Sequence, residues 1–273
     1  MKARSALIAA VLIIVVASLA FAQRGRGRNF GRGIYSGRPA RYATADDFKG
    51  GFQFCRVVFQ RGNGDGAGWD VDWPRADINL SIRLSELTRT SVVMDDAREP
   101  ETLLINLKSP ELFHCPFVMI TEPGGAFIDD VDAKNLREYL LKGGFLWADD
   151  YWGDYAWDFW EAMLRKALPS STYPIVDVPR DHAIFHQVLN AADVPQIPGI
   201  GYWDGANRTW ERSPRDPLRF AGIQDDKGRL MVLMTFNTDF GDSYEREGVN
   251  HEYFLTFSVP GYAFGVNSLI YAL

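Results

Sequence analysis

Residues 116–150 read PFVMITEPGGAFIDDVDAKNLREYLLKGGFLWADD, and the order of their parts sets the fold class. Pro116 to Thr121 is an unbroken apolar run of strand length, the composition of a strand covered on both faces. A turn at Gly124-Gly125 follows. Asp129 to Lys142 opens on acids, carries apolar Val131, Leu136, Tyr139 and Leu140, and closes on Lys-Gly-Gly, which are helix start and stop signals together. Phe145 to Ala148 is a second buried strand. Strand, helix and strand in this order predict a βαβ unit, and therefore a parallel pair.

The same alternation extends outward in both directions. Phe52 to Gln60 reads as a first strand, Gly62 to Gly68 as a Gly-rich loop, and Pro74 opens a helix to about Thr88 with Ile78, Leu80, Ile82, Leu84 and Leu87 in rough helical spacing. Ser91 to Met94 is a short strand. Downstream, Trp157 to Ala167 predicts a helix, Arg229 to Phe236 a strand, and Ala263 to Leu273 a closing helix. The expected architecture is an α/β three-layer sandwich, a mainly parallel sheet with helices on both faces.

The N-terminal region has a different character. Lys2 and Arg4 precede an apolar run from Ala6 to Ala22 that ends Ala20-Phe21-Ala22, the layout of a signal peptide over residues 1–22. The competing expectation is an uncleaved anchor, since the run just reaches the lower limit for a spanning helix, roughly 17 residues. Residues 23–49 form a Gly/Arg-rich arm, too polar to order itself, and residues 50–273 form one domain. Cleavage after Ala22 removes two basic residues and leaves 27 basic against 35 acidic, an acidic body on a basic arm. The expected location is the periplasm or the extracellular space, with no stable membrane span after cleavage. Export would keep the Arg-Gly stretch from nucleic acid. Cys55 and Cys115 either pair in an oxidising compartment or remain two buried thiols.

Several phrases of the domain resemble the bacterial family DUF4159. They are Ser109-Pro110-Glu111-Leu112-Phe113, the strand PFVMIT with its Gly-Gly turn, Asn135 to Leu140 leading into GGFLWADD, Asp181 to His186, Gly265-Val266-Asn267, and Tyr271-Ala272-Leu273. The resemblance implies a flavodoxin-like sandwich of the class I glutamine amidotransferase kind, and no established activity. Catalytic relatives of that fold carry a nucleophilic cysteine on a strand-to-helix elbow, and here the corresponding place after Phe145-Leu146-Trp147 holds Asp149 and Asp150. The absent nucleophile argues against amidotransferase chemistry.

The candidate ligand-binding residues are therefore Asp149, Asp150, Tyr151, Trp152 and Asp154, at a strand end where open α/β sheets bind ligands. Clustered carboxylates there suit a divalent cation or an acid–base pair, and the aromatics suit stacking against a sugar. The competing reading gives one aspartate to capping backbone N–H groups and the aromatics to the core. Trp69, Trp73, Tyr202-Trp203-Asp204 and Thr238 to Asp242 add to an acidic, aromatic mouth. Arg61 to Gly68 lacks the Lys-Ser/Thr of a phosphate loop and reads as a flexible surface loop, and its neighbours Asp65, Asp70 and Asp72 would repel phosphate. His182 and His186 stand four apart without a zincin glutamate, so a zinc site is not expected. The leading expectation is a non-catalytic exported module that binds a small molecule or an envelope protein without an organic cofactor. The alternative is a hydrolase or carbohydrate-processing enzyme that uses the aspartates.

Overall fold

In a computed structural model, residues 41–48 and 50–273 are described, and the signal-peptide reading and most of the arm lie outside them. Nine strands appear: β1 (Phe54–Val58), β2 (Gln60–Arg61), β3 (Thr102–Asn106), β4 (Phe117–Thr121), β5 (Ala126–Phe127), β6 (Phe145–Tyr151), β7 (Val176–Asp177), β8 (Arg219–Gln224) and β9 (Leu230–Phe236). Seven of them form one sheet in the order β3-β1-β4-β6-β9-β8-β7. The first five are parallel, and their chain order across the sheet is 2-1-3-4-5, the flavodoxin-like winding. β8 runs antiparallel to β9 and β7 antiparallel to β8, extending the far edge.

The parallel strands are apolar on both faces, and their two-residue period divides the core in two. Val118, Ile120, Leu146 and Ala148 face one layer, with helices α2 (Asp130–Leu141) and α3 (Gly153–Ala167). Phe117, Met119, Phe145 and Trp147 face the other, with α1 (Arg75–Thr88) and the C-terminal helix. Asp129 caps α2 by accepting hydrogen bonds from Val131 N and Asp132 N, with Asp132 reaching back to Asp129 N, so the acidic start read from the sequence is a full capping box. Further along lie α4 (Ile200–Ala206), α5 (Phe240–Glu245), and α6 (His251–Tyr253), which continues through a π turn at Phe254–Ser258 into α7 (Val259–Ala272).

Several expectations need adjusting. Ser91 to Met94 makes only isolated bridges at Val92 and Met94, and the strand beside β1 is β3, whose apolar Leu103-Leu104-Ile105 the sequence reading passed over. β6 runs on to Tyr151 and α3 begins at Gly153, which puts Asp149 and Asp150 on the strand itself. Within the arm, residues 41–48 dock on the sheet edge: Ala43 N donates to Leu104 O, and Arg41 pairs with Asp47. Cys55 and Cys115 form a disulfide with 6.3 Å between Cα atoms, beside β1 and β4. Among the described residues, no helix is long and apolar enough to cross a membrane.

Candidate functional site

The site lies at the carboxyl ends of β4, β6 and β9, and it begins with an irregularity in β6. Ala148 pairs with Met234 and Tyr151 with Phe236, so β6 carries one more residue than β9 between these pairs. Asp149 and Asp150 occupy this bulge, and Asp150 takes φ 58°. A bulge re-aims side chains. The two neighbouring aspartates consequently do different things.

Asp149 is fully buried and fully engaged. Its Oδ2 accepts from Phe240 N at 2.9 Å and Gly241 N at 3.2 Å, and its Oδ1 accepts from Thr235 Oγ1, which itself accepts from Trp147 Nε1. It is the structural aspartate, fastening the start of α5 to the sheet. Burial pushes its carboxyl up to about 7, against the opposing pull of these donors.

Asp150 turns instead toward Asp72 and Asp239. One carboxylate oxygen from each of the three lies within 4.8 Å of the others, and the same holds for Asp72, Asp242 and Glu245. Asp150 and Asp239 are only 6% and 5% exposed. Asp72 Oδ2 is sealed from solvent and accepts no hydrogen bond. A backbone hydrogen atom makes room for it, because a Cβ on Gly241 would collide with Asp72 Oδ2. Gly199 likewise borders the hollow: a Cβ there would stand 2.9 Å from Glu211 Oε1, 3.4 Å from Asp239 Oδ2 and 3.6 Å from Asp242 Oδ2.

Positive charge is scarce here. Arg246 Nε contacts Asp242 Oδ1 at 3.2 Å and Glu245 Oε2 at 2.8 Å. Arg56, on β1, is committed to a buried ion pair with Asp77 and donates to Thr121 Oγ1. Burial raises the carboxyls of Asp72, Asp150, Asp239, Asp242 and Glu245, and mutual repulsion raises them further. Glu122 and Glu211, which flank Asp150, are pushed up to about 7 chiefly by burial.

The surrounding loops are held open-handed around this charge. Asp72, Glu122, Asp150 and Asn237 all adopt left-handed φ between 50° and 60°, a conformation that costs free energy in non-glycine residues and concentrates at functional sites. The Gly-rich segment is ordered by side chains: Glu122 accepts from Ala67 N and Gly68 N, Arg61 donates to the carbonyls of Asp65, Gly66 and Ala67, and Arg212 pairs with Asp65. The segment is the surface loop expected from its sequence, fastened at several points by these contacts.

Of the sequence candidates, Asp150 is in the cluster and Trp152 supports it, donating from Nε1 to Asp150 Oδ1 at 3.1 Å. Tyr151 is not in it. Its ring packs in the core between Trp157 and Phe236. Asp154 is exposed in the first turn of α3 and also stands apart. Asp239 and Asp242 were read as part of the mouth and are ligand candidates, whereas Asp72 was read as loop and is common to both triads. Glu122, Glu211 and Glu245 were not singled out at all. His182 and His186 serve a turn, with His182 Nδ1 accepting from Ile184 N and His186 Nε2 contacting Arg180 O.

Three buried and two half-buried carboxylates, two of them paired with Arg246, form a hard-oxygen donor set, the chemistry that holds Ca²⁺, Mg²⁺ or Mn²⁺. No curated protein matches the chain. A family model does match, over residues 53–273, which takes in every strand of the sheet and every residue of the acidic cluster, so the chain belongs to DUF4159, described as a domain of unknown function.

Proposed function

We propose that this domain is a non-catalytic binding module whose ligand is a hard divalent cation, held at the carboxyl ends of the sheet by Asp72, Asp150, Asp239, Asp242 and Glu245. The observation that carries this reading is Asp72 Oδ2, a buried carboxylate oxygen with no hydrogen-bond donor, set among other carboxylates within 4.8 Å. Leaving a buried anion unpaired costs several kcal/mol, and a cation is the partner that removes that cost for all of these groups at once.

The lack of nucleophile chemistry supports a binding role. Both cysteines of the chain are tied in the disulfide, so no thiolate is left for acyl transfer. The disulfide also supports export, because such bonds persist in oxidising compartments. Hydrolysis by Asp149, Asp150 or Asp154 finds less support, since Asp149 is saturated with donors and Asp154 stands outside the cluster.

Thermal denaturation in Ca²⁺, Mg²⁺ or Mn²⁺ against EDTA tests the proposal. A cation at a hundred times its Kd stabilises by about 2.7 kcal/mol, which for a domain of this size raises Tm by about 5–10 °C. Asp150→Asn and Asp239→Asn should each lower the rise. An unchanged Tm with all three cations would overturn the reading.

A further inference from the structure

Asp72 belongs to both carboxylate triads, and that shared membership has a geometric and an electrostatic side. Geometrically, Asp72 lies within reach of two sets of carboxylates. Asp242 and Glu245, three residues apart on α5, form one triad with Asp72, while Asp150 from the β6 bulge and Asp239 at the α5 cap form the second. Three oxygens mutually within 4.8 Å suit one ion at roughly 2.3–2.6 Å from each. Two such sets that share one carboxylate have the form of two-metal centres, whose ions lie about 3.5–4 Å apart.

Electrostatically, Arg246 contacts Asp242 Oδ1 and Glu245 Oε2, both in one triad, and Asp72 Oδ2 is shut off from solvent without a hydrogen-bond partner.

We infer that the cluster holds a pair of divalent cations bridged by the Asp72 carboxylate, one completed by Asp150 and Asp239 and the other by Asp242 and Glu245. This rests on the cation-binding reading and extends it from one ion to two. The test is titration of Mn²⁺ into the metal-free full chain, with bound metal counted by elemental analysis after gel filtration and the spin state followed by electron paramagnetic resonance.

The expected result is two equivalents of Mn²⁺ with an exchange-coupled signal. Glu245→Gln and Asp239→Asn should each reduce binding to one equivalent with the signal of an isolated ion, and Asp72→Asn should remove the coupling. One equivalent in the unmodified protein, or two without coupling, would overturn the bridged pair and leave the cation-binding reading standing. No bound Mn²⁺ would overturn both. The count on the unmodified protein decides the matter even if a variant fails to fold.

Discussion

Two sets of buried charge stand on neighbouring elements and are treated in opposite ways. Arg56 on β1 and Asp77 on α1 are both inaccessible to solvent and neutralise each other, with Thr121 Oγ1 taking a further guanidinium proton. Burial alone would lower the Arg56 pKa, but Asp77, helped by Asp72 and Asp149, holds it above its ordinary value. Nearby, Asp72, Asp150 and Asp239 bring three carboxylates within 4.8 Å of one another. The first set closes its own charge and can be understood as part of the fold. The second leaves charge open, which a fold selected only for stability has no reason to keep.

The comparison can be broken most forcefully at the closed pair. Arg56→Met strands Asp77 in the core and should cost about 3–5 kcal/mol in urea denaturation, whereas Arg56→Met with Asp77→Leu should recover most of that loss. Recovery would show that the pair adds little beyond charge balance.

At the open cluster the sign should reverse. In EDTA, Asp150→Asn removes an uncompensated charge and keeps a residue type that tolerates φ 58°, so it should stabilise the metal-free protein by about 1 kcal/mol. Destabilisation in the same assay would mean that Asp150 already has its counter-charge within the fold.

The carboxyls that border the open cluster also respond to pH. Glu122, Glu211 and Asp149 titrate near 7 when folded, against ordinary values of 4.5, 4.5 and 3.8. Between those limits the folded state holds more protons than the unfolded state, so metal-free stability should fall as pH rises from about 4 to 7. The decline should reach at least about 2–4 °C in Tm. The stabilisation by Mn²⁺ should grow as pH rises, because the ligand carboxyls, raised by burial, must lose their protons to bind it. A cation response independent of pH would speak against carboxylate ligation.

The smallest effect belongs to Asp154, the sequence candidate left outside. Asp154→Asn should change stability by less than about 0.5 kcal/mol and leave the Mn²⁺ response unaltered, in contrast to Asp150→Asn four positions earlier.

Much was legible from local pattern. The apolar runs Phe117–Thr121 and Phe145–Ala148, with the capped helix between them, identify a parallel sheet because burial on both faces demands continuous hydrophobicity. The GGFLWADD strand end could be named as a candidate site for the same reason, since parallel strands direct their following loops to one side. What local pattern could not separate was Asp149 from Asp150. Adjacent residues of a strand normally point to opposite faces, and only the bulge against β9 decides that one aspartate holds α5 and the other enters the cluster.

The sequence by itself determined the strand and helix alternation and the acidity of the strand end, because each is a property of neighbouring residues. Tertiary structure alone decided that Asp72, Asp150, Asp239, Asp242 and Glu245 come within reach of one another. They come from a loop before α1, the bulge of β6 and the α5 segment after β9. Ligand geometry depends on distances between chain segments far apart in sequence, which residue order does not encode until the sheet brings its carboxyl ends together.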